Sequence, residues 1–451
     1  MRKIIKRLAA AVMAAAVVTA PALGAEGQPD PWAYGAIADS YAMGLMDDNY
    51  ANYLHAPITG EQLEAMTDIV ADKLALLGLP EADVAWEGLV LDGTRGGVVN
   101  ALYQEAARYQ IDGIGLGPEG FLTQIGVLHG DGAGNRLDRT CTYQEAMVMA
   151  DRLILALYDA NDAGSKGLLW KAVNGDNTLY LLGTIHLDRS NAYPLHKSVR
   201  SALLSADTVA FELDFNDAAG MAQLAASQVY SDGTTLKDHI SPELYERVCA
   251  ALEPLGMTRA EIDACKPWVL ATSLSSLSMQ DGTTSANAMA VDLYLNSAAT
   301  WAGIKTTGVE SYDLQINIFD TLSPAYQEAY LEGGLAVFEA SRNSGEPSQE
   351  ALDAAAANEA QIAAMFDAWK ARSPEAFDAT YSKADIISSG DEISARLFTD
   401  RDPGMIQAAA RFLEAEGENT VFMAVGAGHM SDPGGIVSGL RALGYTVTLV
   451  E

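Results

Sequence analysis

The sequence predicts an α/β fold of α+β character: a mostly parallel central sheet with a large helical insertion, preceded by a small all-α repeat domain. Two observations predict the sheet. Runs of strand length alternate with helical patterns, and most of these runs are apolar, as in strands that are buried on both faces. A long helical pattern separates the second run from the third and predicts the insertion. The all-α domain is predicted by a weak internal repeat that precedes the first run.

Residues 1–24 have the pattern of a secretory signal peptide. Four basic residues within the first seven positions precede an alanine-rich apolar run from Leu8 to Leu23, and small residues suit cleavage before Ala25. An uncleaved anchor is disfavoured because the run is short and ends at a small-residue site. No second apolar stretch approaches the ~20 residues that span a bilayer. We therefore predict a secreted, cell-envelope protein with no membrane insertion after signal removal.

The chain is strongly acidic, with 60 Asp and Glu against 28 Lys and Arg and a formal net charge of −32. This charge repels phosphate backbones and anionic lipids, so nucleic acid and anionic membrane surfaces are excluded as partners. Cationic ligands and metal ions remain compatible, although a solvated acidic surface needs no ligand. Three cysteines lack CxxC spacing, which leaves a thiolate metal site unsupported. Two of them, Cys249 and Cys265, flank one predicted helical hairpin. The sequence does not decide whether they form a disulfide.

Residues 26–160 contain two copies of one helical pattern. In each copy a short helix ends at a glycine, a polar turn follows, and a Thr with Gln or Glu three residues later begins a longer helix. The copies contain Gly44, Thr59 and Gln62, and Gly126, Thr142 and Glu145. The arrangement resembles S-layer homology motifs, whose helical bundles hold exported proteins to cell-wall polymers. The resemblance implies a helical fold for residues 26–160 and a cell-wall polymer as a partner.

The small, polar stretch YDANDAGSKG at 158–167 is predicted to be a linker, so the second unit covers 167–451. Its elements are predicted in alternating order. They are the strand TLYLLGTI, a helix from about Pro194 to Ser205, the strand TVAFEL, a helical region from about Ala218 to Ala299, the strand GIKTTGVE, helices across about 311–414, the strand TVFMAVGAG, an amphipathic helix from Pro433 to Gly444 and the strand YTVTLVE.

Four predicted strands end at residues that can carry chemistry. LYLLGTIH and VFMAVGAGH share a Gly-x-x-His pattern and end at His186 and His429, while two other strands end at Glu212 and Glu310. If these strands are parallel, the four side chains meet at one edge of the sheet. Imidazole with carboxylate is the usual ligand set of a catalytic divalent metal that activates water. Glu212 lies among apolar residues, where either a metal or an arginine would stabilise it.

The segments LLWKAVNGDNTLYLLGTIHL, AFELD, KPW, GVE and VFMAVGAGHM occur in an order and spacing that resemble the TraB/GumN family, which includes the Tiki proteins. The resemblance covers about 167–451 and implies a divalent-metal-dependent hydrolase, a peptidase or an esterase, with Mn, Co or Zn as the ion. It implies metal ligation by His186 and His429, and a ligand or general-base role for Glu212 and Glu310. Arg401 matches an arginine that would hold a substrate carboxylate or an oxyanion. The following residue is Asp where the family often has Asn, which leaves the partner of this arginine open.

Two other functions stay open. The same edge of the sheet also suits a non-catalytic protein that sequesters a peptide. A haem- or iron-binding protein is a further alternative. GLGPEG at 115–120 lacks the strand–turn–helix context of a dinucleotide site, and neither an H-E-x-x-H nor a G-x-S-x-G motif occurs. The remaining histidines are interpreted as surface or structural residues; they are His55, His129, His196 and His239.

Overall fold

The computed structural model describes residues 27–47, 49–82, 88–130, 132–185, 190–279, 289–342 and 349–451. The predicted signal peptide lies outside these ranges. Within them, no helix is both long enough and apolar enough to cross a membrane.

The N-terminal region is helical, as predicted. Its helices are α1 (Tyr34–Ala42), α2 (Gly60–Ala75), α3 (Arg95–Ala106), α4 (Gly117–Gln124) and α5 (Tyr143–Ala160), with 3-10 turns at Pro31–Ala33, Tyr50–Asn52 and Ile114–Leu116. The capping boxes predicted at the starts of α2 and α5 are confirmed. Thr59 Oγ1 accepts from the Gln62 N–H at 3.2 Å, and Thr142 Oγ1 accepts from the Glu145 N–H at 3.4 Å.

A third threonine-capped helix start, which the sequence pattern did not reveal, lies beside these two. The Thr94 hydroxyl accepts from the Gly97 N–H at 3.0 Å and begins α3. The extended segments before the three caps are hydrogen-bonded to each other: the Ile58 N–H donates to Cys141 O at 3.0 Å, and the Cys141 N–H donates to Gly93 O at 2.9 Å. The three helix starts therefore lie next to one another.

The second region is built on a six-stranded sheet of order β4-β3-β5-β2-β1-β6. The strands are β1 (Leu168–Asn174), β2 (Asn177–Thr184), β3 (Thr208–Phe211), β4 (Lys305–Gly308), β5 (Thr420–Gly426) and β6 (Val447–Leu449). β2, β3, β4 and β5 are parallel, and β1 is antiparallel to both β2 and β6. The predicted fold class is confirmed.

Strand β1 was not predicted as a strand. It forms a hairpin with β2 through two connecting residues, of which the first, Gly175, has a φ of 60°. A glycine with positive φ at this position is the usual way to make a two-residue hairpin turn. The sequence NGDN between two apolar runs therefore carried the signal for the hairpin.

Helices cover the sheet and fill the insertions between strands. They are α6 (Lys197–Leu204), α7 (Ala218–Ser227), α8 (Pro242–Leu252), α9 (Arg259–Ala264), α10 (Pro267–Met279), α11 (Val291–Trp301), α12 (Tyr312–Asp320), α13 (Pro324–Arg342), α14 (Gln349–Lys370), α15 (Pro374–Tyr381), α16 (Lys383–Ser388), α17 (Glu392–Ser394), α18 (Asp402–Leu413) and α19 (Ile436–Ala442), with a π-helical turn at Ala395–Thr399. One apolar core joins the sheet to the N-terminal helices, and a second lies among the insertion helices. All three cysteines are free, so the disulfide between Cys249 and Cys265 does not form.

The N-terminal helices pack on the sheet region through α1 and α11. The Tyr34 and Trp301 rings stack with centroids 4.2 Å apart, and the Tyr294 hydroxyl donates to Asp39 Oδ1 at 2.6 Å. Asp151 of α5 is 3% exposed, and burial raises its pKa well above the ordinary value, as does the charge of Asp39. Arg200 and Arg152 oppose this shift without cancelling it. The contact between the two regions thus contains a carboxyl group whose burial favours the protonated form.

Replacing Asp151 with Asn is expected to stabilise the protein at high pH. Since the folded-state pKa is raised, the contribution of Asp151 to stability is complete below the unfolded-state pKa and is lost as pH rises through the folded-state pKa. Asp151→Asn removes this loss, so its Tm should exceed that of the wild type at about pH 8 by on the order of 2 °C. The difference should vanish near about pH 3, where Asp151 is protonated in both states.

Thermal unfolding across this pH range checks the expectation. Asp138→Asn is the matched control, because Asp138 is exposed and its substitution should leave the pH dependence unchanged. Equal pH profiles for wild type and Asp151→Asn would contradict a raised pKa for the buried Asp151.

Candidate active site

The carboxyl ends of β2, β3, β4 and β5 lie at one edge of the sheet, as predicted for four parallel strands. Glu212 directly follows β3, and Glu310 lies two residues after β4. Pairing continues beyond both strands, because the Glu310 N–H donates to Glu212 O at 3.0 Å. This backbone contact places the two glutamates side by side.

A buried arginine joins the two glutamates. The side chain of Arg401, just before α18, is 5% exposed, and its Nη2 lies 2.6 Å from Glu212 Oε2 and 2.6 Å from Glu310 Oε2. Arg401 Nε also donates to Glu310 Oε1 at 2.9 Å, which completes a two-pronged pair. Burial alone would lower the pKa of Arg401, but the two carboxylates raise it above its ordinary value. Arg401 is therefore a permanent cation bonded to protein carboxylates.

Gln315 of α12 and the backbone of Gly426 hold Glu212 from two further sides. Gln315 Nε2 lies 3.0 Å from Glu212 Oε2 and 3.0 Å from Glu310 Oε2. The Gly426 N–H, at the end of β5, donates to Glu212 Oε1 at 2.8 Å. Glu212 Oε2 thus faces the arginine and the glutamine, while Oε1 faces the end of β5.

His429 lies in the turn after β5, on the Oε1 side of Glu212. Its Nε2 is 3.8 Å from Glu212 Oε1, too far for a hydrogen bond, and its Nδ1 is 2.6 Å from Asp402 Oδ1. Asp402 Oδ2 accepts from Lys383 Nζ at 2.7 Å, and Lys383 also donates to Ser431 O at 2.8 Å. Since Nδ1 is engaged in a hydrogen bond with Asp402 Oδ1, Nε2 is the ring nitrogen that faces Glu212.

The small residues near the two Gly-x-x-His patterns permit close packing. A Cβ on Gly428 would lie 2.7 Å from the Tyr381 hydroxyl, and a Cβ on Gly183 would lie 2.9 Å from Ala427 Cα. Gly183 is an ordinary strand residue with negative φ, so close packing, rather than an unusual backbone conformation, accounts for the glycine here. Trp369 Nε1 donates to Gly183 O at 2.7 Å and fixes the end of β2.

Of the predicted site residues, Glu212, Glu310, Arg401 and His429 lie together at the sheet edge. His186 lies outside the described residues. Within the described ranges, no group of three or more His, Cys, Asp or Glu side chains is arranged to hold a metal ion. Both oxygens of Glu310 are bonded to Arg401, whereas Glu212 Oε1 and His429 Nε2 face each other. A ligand role for Glu310 stays a prediction.

Sequence reasoning missed three polar residues of this edge. Asp402 was noted only as a departure from a family pattern, and Lys383 and Gln315 lie in helical segments, where no sequence motif distinguishes them from other polar helix residues.

His196 is structural, as predicted: it caps α6, with Nδ1 accepting from the Ser198 N–H at 3.1 Å.

Comparison with family models supports one assignment. The model described as "TraB/PrgY/gumN family" matches residues 168–449, from the start of β1 to the end of β6. Neither the curated proteins nor the solved structures contain a match to this chain. The matched segment contains every residue of the edge described above and more than half of the chain. The chain therefore belongs to the TraB/PrgY/gumN family.

Proposed function

We propose that the protein is an exported, metal-dependent hydrolase that cleaves peptide bonds, with ester bonds as the less favoured substrate. The observation that carries the proposal is the pair formed by Glu212 and His429. Glu212 Oε1 and His429 Nε2 face each other at 3.8 Å, while the opposite ring nitrogen of His429 is bonded to Asp402. A buried imidazole whose Nε2 faces one carboxylate, while its Nδ1 is hydrogen-bonded to another, is suited to binding a cation between Nε2 and the facing carboxylate.

The residues at this edge fit a divalent ion, for which Mn, Co and Zn are the candidates. His429 and Glu212 would hold it, with His186 as a third protein ligand. Asp402 supports the fit, because metal-bound histidines usually donate their other N–H to a carboxylate. When bound, such an ion polarises a carbonyl group and makes its water acidic enough to attack near neutral pH.

Arg401 bonds both glutamates and thereby positions Glu212 in this arrangement. Arg401 contacts both carboxylates at 2.6 Å, so its positive charge offsets the repulsion between two negative groups that lie side by side. Its Nε and Nη2 both donate to protein carboxylates. These bonds favour a role in positioning Glu212 over direct binding of a substrate carboxylate.

Incubation of the mature protein with a mixture of synthetic peptides and about one equivalent of Mn, Co or Zn ions tests the proposal. Mass spectrometry should find cleaved peptides, and a chelator should prevent the cleavage. Intact peptides that co-purify with the protein would support sequestration instead. A Soret band on haem titration, with no cleavage, would support the haem alternative.

We also propose that the helical region attaches the protein to a cell-wall polymer. The three adjacent threonine-capped helix starts, at Thr59, Thr94 and Thr142, support this proposal, because they repeat one local arrangement within the region. The mature protein should co-sediment with purified sacculi, and soluble wall polymer should release it. Failure to sediment would remove the attachment proposal and leave the hydrolase proposal unaffected.

A further inference from the structure

Thr184, the last residue of β2, has a buried hydroxyl group. Its side chain is 2% exposed, and its Oγ1 has no hydrogen-bond partner among the described residues. In the parallel ladder Thr184 is paired with Gly426, whose N–H donates to Glu212 Oε1. Thr184 thus lies on β2, next to β5, and the last residue of β5 holds the Glu212 carboxylate in place.

Thr184 and Glu212 line the same small pocket at the sheet edge. Its other polar lining residues are Asp292 and Gln315, and its remaining wall is apolar. The pocket is small enough that it suits about one water molecule. A buried water needs two to four polar partners, and this wall offers that number.

A buried hydroxyl is costly unless it is hydrogen-bonded, and valine would fill the same space without that cost. A threonine that served only for packing here would therefore be an unfavourable choice. Its position beside Glu212 indicates that the hydroxyl is paired with something bound in the pocket.

We infer that Thr184 is a further positioning residue of this site: its hydroxyl holds one water molecule in the pocket beside the Glu212 carboxylate. The purpose of this water rests on the proposed function, since hydrolysis consumes a water molecule that must be placed near the reacting carbonyl group. Thr184 Oγ1 supplies one hydrogen bond, and the polar wall supplies the others.

Crystal structures of the wild type, Thr184→Val and Thr184→Ser test the inference, at a resolution that shows ordered waters. A water bonded to Thr184 Oγ1 and to Glu212 is expected in the wild type and in Thr184→Ser but not in Thr184→Val. The Tm of Thr184→Val should be no lower than that of the wild type, because Thr184 Oγ1 has no hydrogen-bond partner among the described residues. Peptide turnover by Thr184→Val should fall about tenfold, the loss expected for one hydrogen bond, and Thr184→Ser should restore it.

The inference is overturned if the wild type has no water at Thr184, if Thr184 Oγ1 bonds to a protein carbonyl, or if Thr184→Val keeps the water. Its failure is distinct from failure of the proposed function. Cleaved peptides without a water at Thr184 would refute this inference alone. A water at Thr184 in a protein that cleaves no peptide would confirm the binding site and refute hydrolysis.

Discussion

Replacing Arg401 with methionine is expected to lower the free energy of unfolding by about 3–5 kcal/mol. The side chains of Arg401 and Glu310 are 5% and 3% exposed, and methionine would leave Glu212 and Glu310 adjacent without a cation. Breaking a buried ion pair from one side is expensive, because the remaining charge stays away from water. Urea-induced unfolding of the wild type and the variant measures the difference.

The chain offers a matched control in Arg247, which also contacts two glutamates, Glu332 and Glu339, but is 41% exposed. Arg247→Met should cost less than about 1 kcal/mol, because solvent screens exposed ion pairs. Adding Glu212→Gln and Glu310→Gln to Arg401→Met should recover part of the lost stability, since the repulsion is removed. Equal costs for Arg401→Met and Arg247→Met would contradict the account of the buried pair.

Replacing His429 with alanine is expected to reduce peptide turnover by about 10³-fold or more with little change in stability. The variant removes the only described imidazole that faces Glu212 and leaves the Arg401 pair intact. Asp402→Asn should give a smaller loss, about 10–100-fold in metal affinity, because the imidazole loses the carboxylate that orients it. Isothermal titration with the metal ion and a peptide assay measure both effects.

His55→Ala is the control for this series, because His55 is exposed and its ring contacts only the Gln28 carbonyl in the described hydrogen bonds. It should bind metal and cleave peptides as the wild type does. Turnover by His429→Ala within about threefold of the wild type would show that the chemistry lies elsewhere.

The sheet was predictable because its two central strands, β2 and β5, are mainly apolar. β2 and β5 are buried along nearly their whole length, and a run of this kind reads as a strand that is covered on both faces. β1 was missed because its apolar run is interrupted by Lys171 and was not separated from β2 at the NGDN turn. The order of the strands was not predicted, since it depends on how the long insertions pack.

The meeting of Glu212, Glu310 and His429 followed from strand direction alone. Parallel strands present their carboxyl ends at the same edge whatever their order, so residues that end strands come together. Lys383 and Asp402 could not be placed in this way, because they lie near helix starts that reach the edge only through tertiary packing. Their contacts with His429 depend on where α16 and α18 pack.

The pairing of Arg401 with both glutamates was left open for a related reason. The negative charge of a carboxylate among apolar residues such as Val209 and Phe211 must be balanced by a positive charge. The sequence does not say whether a metal ion or an arginine supplies it. In the fold an arginine compensates Oε2 of Glu212, while Oε1 faces His429. Each oxygen thus has its own environment.

The metal content of the purified mature protein tests the central claim most directly. After incubation with Mn, Co or Zn ions and desalting, elemental mass spectrometry should find about one ion per chain in the wild type and in His55→Ala. The His186→Ala/His429→Ala double variant should retain none while keeping its fold by circular dichroism. Full occupancy in the double variant would contradict a metal held at this edge of the sheet.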